Sequence, residues 1–157
     1  YGRQFRLILI LLTAGWLISV TGCRTAAPLA AVDFSQGSWK IKSGQAVWRV
    51  NREAPEIAGE ILFAHNEEGR IVLQMTKTPF PMVLAQLHGN CWQIEFPSET
   101  KTYSGRGTPP KRLAWLHLAN ALNGNPIASS WHFEWLDKSA WRMEDQRTGE
   151  TIEGFLE

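Results

Sequence analysis

The chain has 157 residues, with 16 lysines and arginines against 15 aspartates and glutamates and a formal charge of +1. This length suffices for one domain with its own core. The near-neutral balance excludes the basic footprint of a nucleic-acid binder, and two cysteines, Cys23 and Cys91, exclude a disulfide framework.

Arg3 and Arg6 precede a sixteen-residue uncharged segment, Leu7 to Gly22. A basic head, a short apolar run and small residues before a cleavage point make a secretory signal, and sixteen residues fall short of the ~20 that a spanning helix needs. The closing Val20-Thr21-Gly22-Cys23 looks like a bacterial lipobox, with Val20 where leucine is commonest. In such a motif the cysteine is lipidated and becomes the mature N-terminus, and the thiolate is the nucleophile suited to thioether formation. An ordinary signal peptide with an incidental cysteine is the competing reading. Residues 1–22 are therefore expected to be a lipoprotein signal peptide, 23–36 the lipidated N-terminus and tether, and 37–157 one β domain. Loss of Arg3 and Arg6 leaves a formal charge of −1. Arg24 rather than aspartate after the cysteine favours, by analogy with enterobacterial sorting, the outer membrane, with the domain facing the periplasm. Arg24 to Ala31 is a small-residue stretch interrupted by Pro28, which reads as a tether that need not fold. Its alanines would equally suit a short helix.

From Trp39 the apolar period becomes two. Ala46, Trp48 and Val50 alternate with Val47, Arg49 and Asn51, and Ile57, Gly59, Ile61 and Phe63 oppose Ala58, Glu60, Leu62 and Ala64. Asn66-Glu67-Glu68-Gly69 is a turn into a segment where Ile71, Leu73 and Met75 oppose Val72, Gln74 and Thr76, and together these make a hairpin. Thr78-Pro79-Phe80-Pro81-Met82 is not expected to continue a central strand, because its prolines remove ladder donors. Met82 to Leu87, the turn His88-Gly89-Asn90, and Trp92, Ile94 and Phe96 extend the meander, with a short strand near Thr100 to Ser104 pairing back.

Gly105 to Pro110 is a loop in which Thr108 suits an N-cap and a proline suits the first helical turn. Lys111 to Asn123 is the one convincing helix of the mature chain. Trp115, Leu118, Ala119 and Leu122 form its broad apolar face, and Gly124 and Pro126 end it. Trp131, Phe133 and Trp135 then share one side of a strand. Asp137-Lys138-Ser139 turns into Trp141 and Met143, and Arg147-Thr148-Gly149 into Glu150 to Leu156. The short connections require antiparallel pairing. The fold class expected is mainly β (α+β), a curved antiparallel sheet or incomplete β-barrel covered by one or more helices.

Chemical motifs are few. His65, His88, His117 and His132 show no metal-ligand spacing and read as surface or turn residues. No nucleophile elbow occurs, Ser104-Gly105-Arg106-Gly107 lacks the lysine of a phosphate loop, and Cys91 has no evident base. No enzyme activity, metal or cofactor is expected. Phe80 and Met82, beside prolines, are candidates for a membrane or partner contact loop, although packing over the sheet edge explains them as well.

The lipobox, meander, helix and C-terminal strands together resemble the LolA/LolB-like lipoprotein-localisation family, as a divergent member of its LolB-like outer-membrane branch. The segments that carry the likeness are Ala46-Val47-Trp48-Arg49, Gly59-Glu60-Ile61-Leu62 and Trp92-Gln93-Ile94-Glu95, with Gly124 closing the helix. It covers most of Trp39 to Leu156, and no functional residue of the family is carried across. The resemblance implies an incomplete antiparallel barrel around an apolar cavity for acyl chains, with lipoproteins or a periplasmic carrier as partners besides the membrane. Alternation nominates Trp48, Ile61, Phe63, Leu73, Trp92, Ile94, Phe133 and Trp135 for the concave face of that cavity, with Trp115, Leu118 and Leu122 on the helix. The alternative is a structural or protein-interaction envelope lipoprotein in which the same aromatics fill the core.

Overall fold

The computed structural model describes residues 27–36 and 38–157. The expected signal peptide, Cys23 and Arg24 lie outside the described residues. Nine strands follow one another: β1 Lys40–Arg49, β2 Ile57–His65, β3 Arg70–Lys77, β4 Phe80–His88, β5 Cys91–Phe96, β6 Lys101–Arg106, then β7 Trp131–Trp135, β8 Ala140–Asp145 and β9 Glu150–Leu156. One helix, α1 Ala114–Leu122, separates β6 from β7. All strands join one open antiparallel sheet in the order β6-β5-β4-β3-β2-β1-β9-β8-β7. Strands consecutive in sequence are neighbours in the sheet except β6 and β7, which stand at opposite edges, and the two halves are joined where β9 returns to pair with β1, Trp48 opposite Ile152.

The hairpin turns behave as their residues require. Gly69 takes φ +77° after the Asn66 side chain has accepted the Arg70 amide. The β3–β4 turn departs from the sequence expectation. Thr78–Pro79 is a cis peptide, the chain reverses there, and Phe80 pairs directly with Lys77. Pro81 thus lies inside β4, which runs between β3 and β5. It is tolerated because β5 pairs with β4 only from Leu84 onward, so no ladder bond on that side is asked of Pro81. On the other side the register shifts at Met75/Thr76.

Helix α1 starts later than its pattern suggests. Leu113, not Thr108, is the N-cap, and no side chain caps it. Pro109 and Pro110 stand before the helix, where the Leu113 amide donates to the Pro110 carbonyl. The C-terminus is a Schellman motif: the Asn125 amide donates to Asn120 at 2.8 Å and the Gly124 amide to Ala121 at 2.9 Å. Gly124 supplies the φ of +76° that the motif needs. The helix is buried on nearly every side, since Ala114 to Ala119 and Ala121 are all core residues. It touches β3, β4 and β5 and also the edge strand β7.

Candidate functional site

The pairing registers connect one side of the strands into a continuous inner face, which α1 touches at β3, β4, β5 and β7. Phe63 is opposite Leu73, Leu73 opposite Ala85 and Ala85 opposite Ile94. On the other wing Trp48 is opposite Ile152, which is opposite Met143, which is opposite Phe133. All eight strand residues nominated from alternation share this face. Ile61, Phe63, Leu73, Trp92 and Ile94 are buried in the core beneath the helix, as are Trp115 and Leu118 from the helix itself. Trp48, Leu122 and Phe133 are half-buried at its margin, and Trp135 is 46% exposed because it ends an edge strand. The same alternation places Trp141, Met143 and Ile152 at the heart of this face, all fully buried. Their period-two spacing was visible in the sequence, but the pairing of β9 with β1 that brings them there was not.

The space under α1 is occupied by these side chains. The grooves described lie elsewhere, and Ile61 is the one nominated residue that lines any of them. A groove of about 620 Å³ runs over β9, β1 and β2, among Val47, Ala58, Glu60 and Phe155, with Leu136 at its rim. A groove of about 350 Å³ lies between the outer face of β3–β5 and residues 29–34. That N-terminal stretch is docked where the sequence suggested a free tether. The Leu29 amide donates to Gln93 Oε1 at 2.8 Å, and Arg70 bridges the Ala30 carbonyl and Gln86 Oε1. Gln86 and Gln93 are buried polar residues of the outer face; the strap satisfies Gln93, and Arg70 satisfies Gln86.

The inner face carries polar groups that do not find partners. The indole N–H groups of Trp92, Trp115 and Trp141 are buried without a hydrogen bond, as is Nδ1 of His117. His117 is therefore a core residue and not the surface histidine that its spacing suggested, because the helix around it is enclosed. Its Nε2 lies 3.2 Å from the Pro110 carbonyl, and burial pushes its pKa below the ordinary imidazole value.

A partnered donor stands beside them. Trp48 packs edge-on against Trp115 at 5.5 Å between ring centroids and donates its indole N–H to Glu150 Oε1 at 3.0 Å. Burial pushes the Glu150 carboxyl up to about 7, opposed by the Trp48 bond and assisted by the charge of Asp145. Because the folded state holds this proton more tightly than the unfolded chain, the Glu150 contribution is undiminished below about pH 4.5. It is lost as pH rises to about 7. Glu150→Gln, which keeps the acceptor for Trp48, is expected to leave stability unchanged at pH 4. At pH 8 it should add on the order of 2 kcal/mol, discounted for partial exposure. Denaturant melts of both proteins across that range check it, and a gain independent of pH would refute the assignment.

Phe80 and Met82 open β4 just after the β3–β4 turn. Phe80 is 66% exposed, the most exposed large apolar side chain described, whereas Met82 packs against the core. Cys91 is a free, half-buried thiol at the start of β5. Among the described residues no group of three His, Cys, Asp or Glu is placed to hold a metal ion, and no helix is long and apolar enough to cross a membrane. No protein-family model matches the chain, and no curated protein matches it.

Proposed function

We propose that the protein is a periplasm-facing lipoprotein of the bacterial outer membrane, anchored through Cys23. It binds or receives apolar ligands, lipoprotein acyl chains or envelope lipid, on the inner face of its sheet. The observation that carries this reading is the set of three buried, unpartnered indole donors, Trp92, Trp115 and Trp141, within a mainly apolar core. Buried donors are nearly always satisfied. An acyl chain that ends in an ester or amide offers methylenes to the surrounding side chains and a carbonyl oxygen to such a donor. The contacts of α1 with β3–β5 and with the far-edge strand β7 support the finer architecture, an incomplete barrel covered by the helix.

Ligand entry in this reading displaces α1, whose nine residues form the local unit that must move. Each methylene buried in its place contributes ~0.8 kcal/mol, so a chain of ten or more offsets several kcal/mol of lost helix packing. No catalytic step is involved. A second reading, a structural or protein-interaction envelope lipoprotein with a filled core, is favoured by the full burial of Leu73, Ile94 and Leu118 with α1 in place.

The test separates anchor from cargo. Labelling with a fatty-acid analogue should mark the protein and leave Cys23→Ala unmarked. Solvent extraction of the purified, labelled protein should then release a second, non-covalent acyl species while the Cys23 lipid stays attached. Label persisting in Cys23→Ala would end the lipoprotein reading. An extract without lipid, from protein that also fails to take up a fluorescent fatty acid, would leave the filled-core reading standing.

A further inference from the structure

The two edges of the open sheet differ in how they could meet a second copy of themselves. At β6, antiparallel self-pairing about its centre would set Lys101 against Arg106, like charge facing like charge, a common protection of edges. At β7 the sequence Trp131-His132-Phe133-Glu134-Trp135 is symmetric in its three aromatic positions and sets His132 against Glu134 when reversed. It has no lysine, no proline and no register shift, and it is the last strand of the sheet. Its outer residues are solvent-accessible: the side chains of His132 and Glu134, 3.9 Å apart in one chain, are 64% and 50% exposed, and on the inner face Trp135 is 46% exposed.

We infer that β7 is an isologous dimer seam, at which two copies of this chain pair antiparallel about a two-fold axis through Phe133. In that register Phe133 faces Phe133 of the second copy, His132 faces Glu134, and Trp131 faces Trp135. Directly opposed residues point to the same side, so the two imidazole–carboxylate pairs lie on the outer face. The aromatic pairs continue the inner apolar face across the seam. A closed two-fold interface of this kind consumes the edge and leaves β6, whose charges repel self-pairing, as the protected end of the joined sheet.

The whole chain in detergent should dimerise reversibly across the micromolar range in sedimentation velocity. His132→Glu sets carboxylate against carboxylate twice at the seam and should weaken association about tenfold. The double exchange His132→Glu with Glu134→His restores complementarity and should restore the dimer. These positions are exposed, so folding is not at stake, and the N-terminal segment is common to all variants. Register is read by oxidation in a chain whose Cys23 and Cys91 are serine. Phe133→Cys lies opposite its own copy, within disulfide reach, and should cross-link. Trp135→Cys, displaced by four residues from its own copy, should not. A chain monomeric throughout that range, an unaltered affinity in His132→Glu, or equal cross-linking at both positions would overturn the seam.

Discussion

Gly154→Val is expected to cost about 3 kcal/mol or more, and to separate the two wings of the sheet rather than loosen one of them. Gly154 lies on the inner face opposite Ala46, and Ala46 in turn lies opposite Gly59. A Cβ at 154 would fall against the carbonyl oxygen of Gln45, 2.9 Å from Ala46 Cα and 3.0 Å from the Trp141 ring. Two of these three neighbours are backbone, so rotamer changes cannot relieve the clash. Gly59 meets the same restriction, where a Cβ would be 2.6 Å from the Thr76 carbonyl oxygen. The β1–β9 ladder is where the C-terminal hairpins join the meander, so a clash there acts on the joint itself. Hydrogen exchange should show protection lost in β7, β8 and β9 first, with β3 to β5 retained longer. Uniform loss, or a melt unchanged from wild type, would show that the close approach is not limiting.

Trp115→Ala should cost 3–5 kcal/mol, roughly the range for truncating a buried tryptophan. The indole is 1% exposed and packs edge-on against Trp48 of the inner face. Its removal takes away the transfer free energy of the ring and leaves a cavity beneath a helix of nine residues, which nucleates poorly without tertiary support. Trp115→Phe discriminates packing from polarity. It keeps much of the apolar contact and removes a buried N–H that has no partner, so the cost should be about 1 kcal/mol. A phenylalanine variant as damaged as the alanine one would mean that the indole nitrogen has an acceptor in solution. Under the lipid-binding proposal the alanine variant should also take up a fluorescent fatty acid more readily at equal fraction folded, because α1 is then cheaper to displace.

Local sequence determined the sides of the strands. Side chains alternate with period two, and each hairpin connection is short enough to hold its register. Trp48 in β1, Phe63 in β2, Ile94 in β5 and Phe133 in β7 could therefore be assigned to one surface without knowing which strands touch. The helix terminus was equally legible, because Gly124 and Asn125 act on carbonyls only three and five residues away.

What tertiary structure alone decided are the contacts between residues far apart in the chain. The return of β9 to β1 joins residues about a hundred positions apart, and no local period records it. From that one pairing follow the burial of Trp141 and Ile152 and the placing of Glu150 against Trp48. The enclosure of α1 on nearly all sides similarly made His117 a core residue. Pro81 was admitted to a strand because the neighbouring strand β5 is shorter at that end, a fact about β5 and not about proline. The strap at Leu29 docks because Gln93 needs a donor and Arg70 takes the Ala30 carbonyl on the outer face, demands written 64 and 40 residues downstream. Periodicity states which way a side chain points; what it meets there depends on segments that reach it only when the chain has folded.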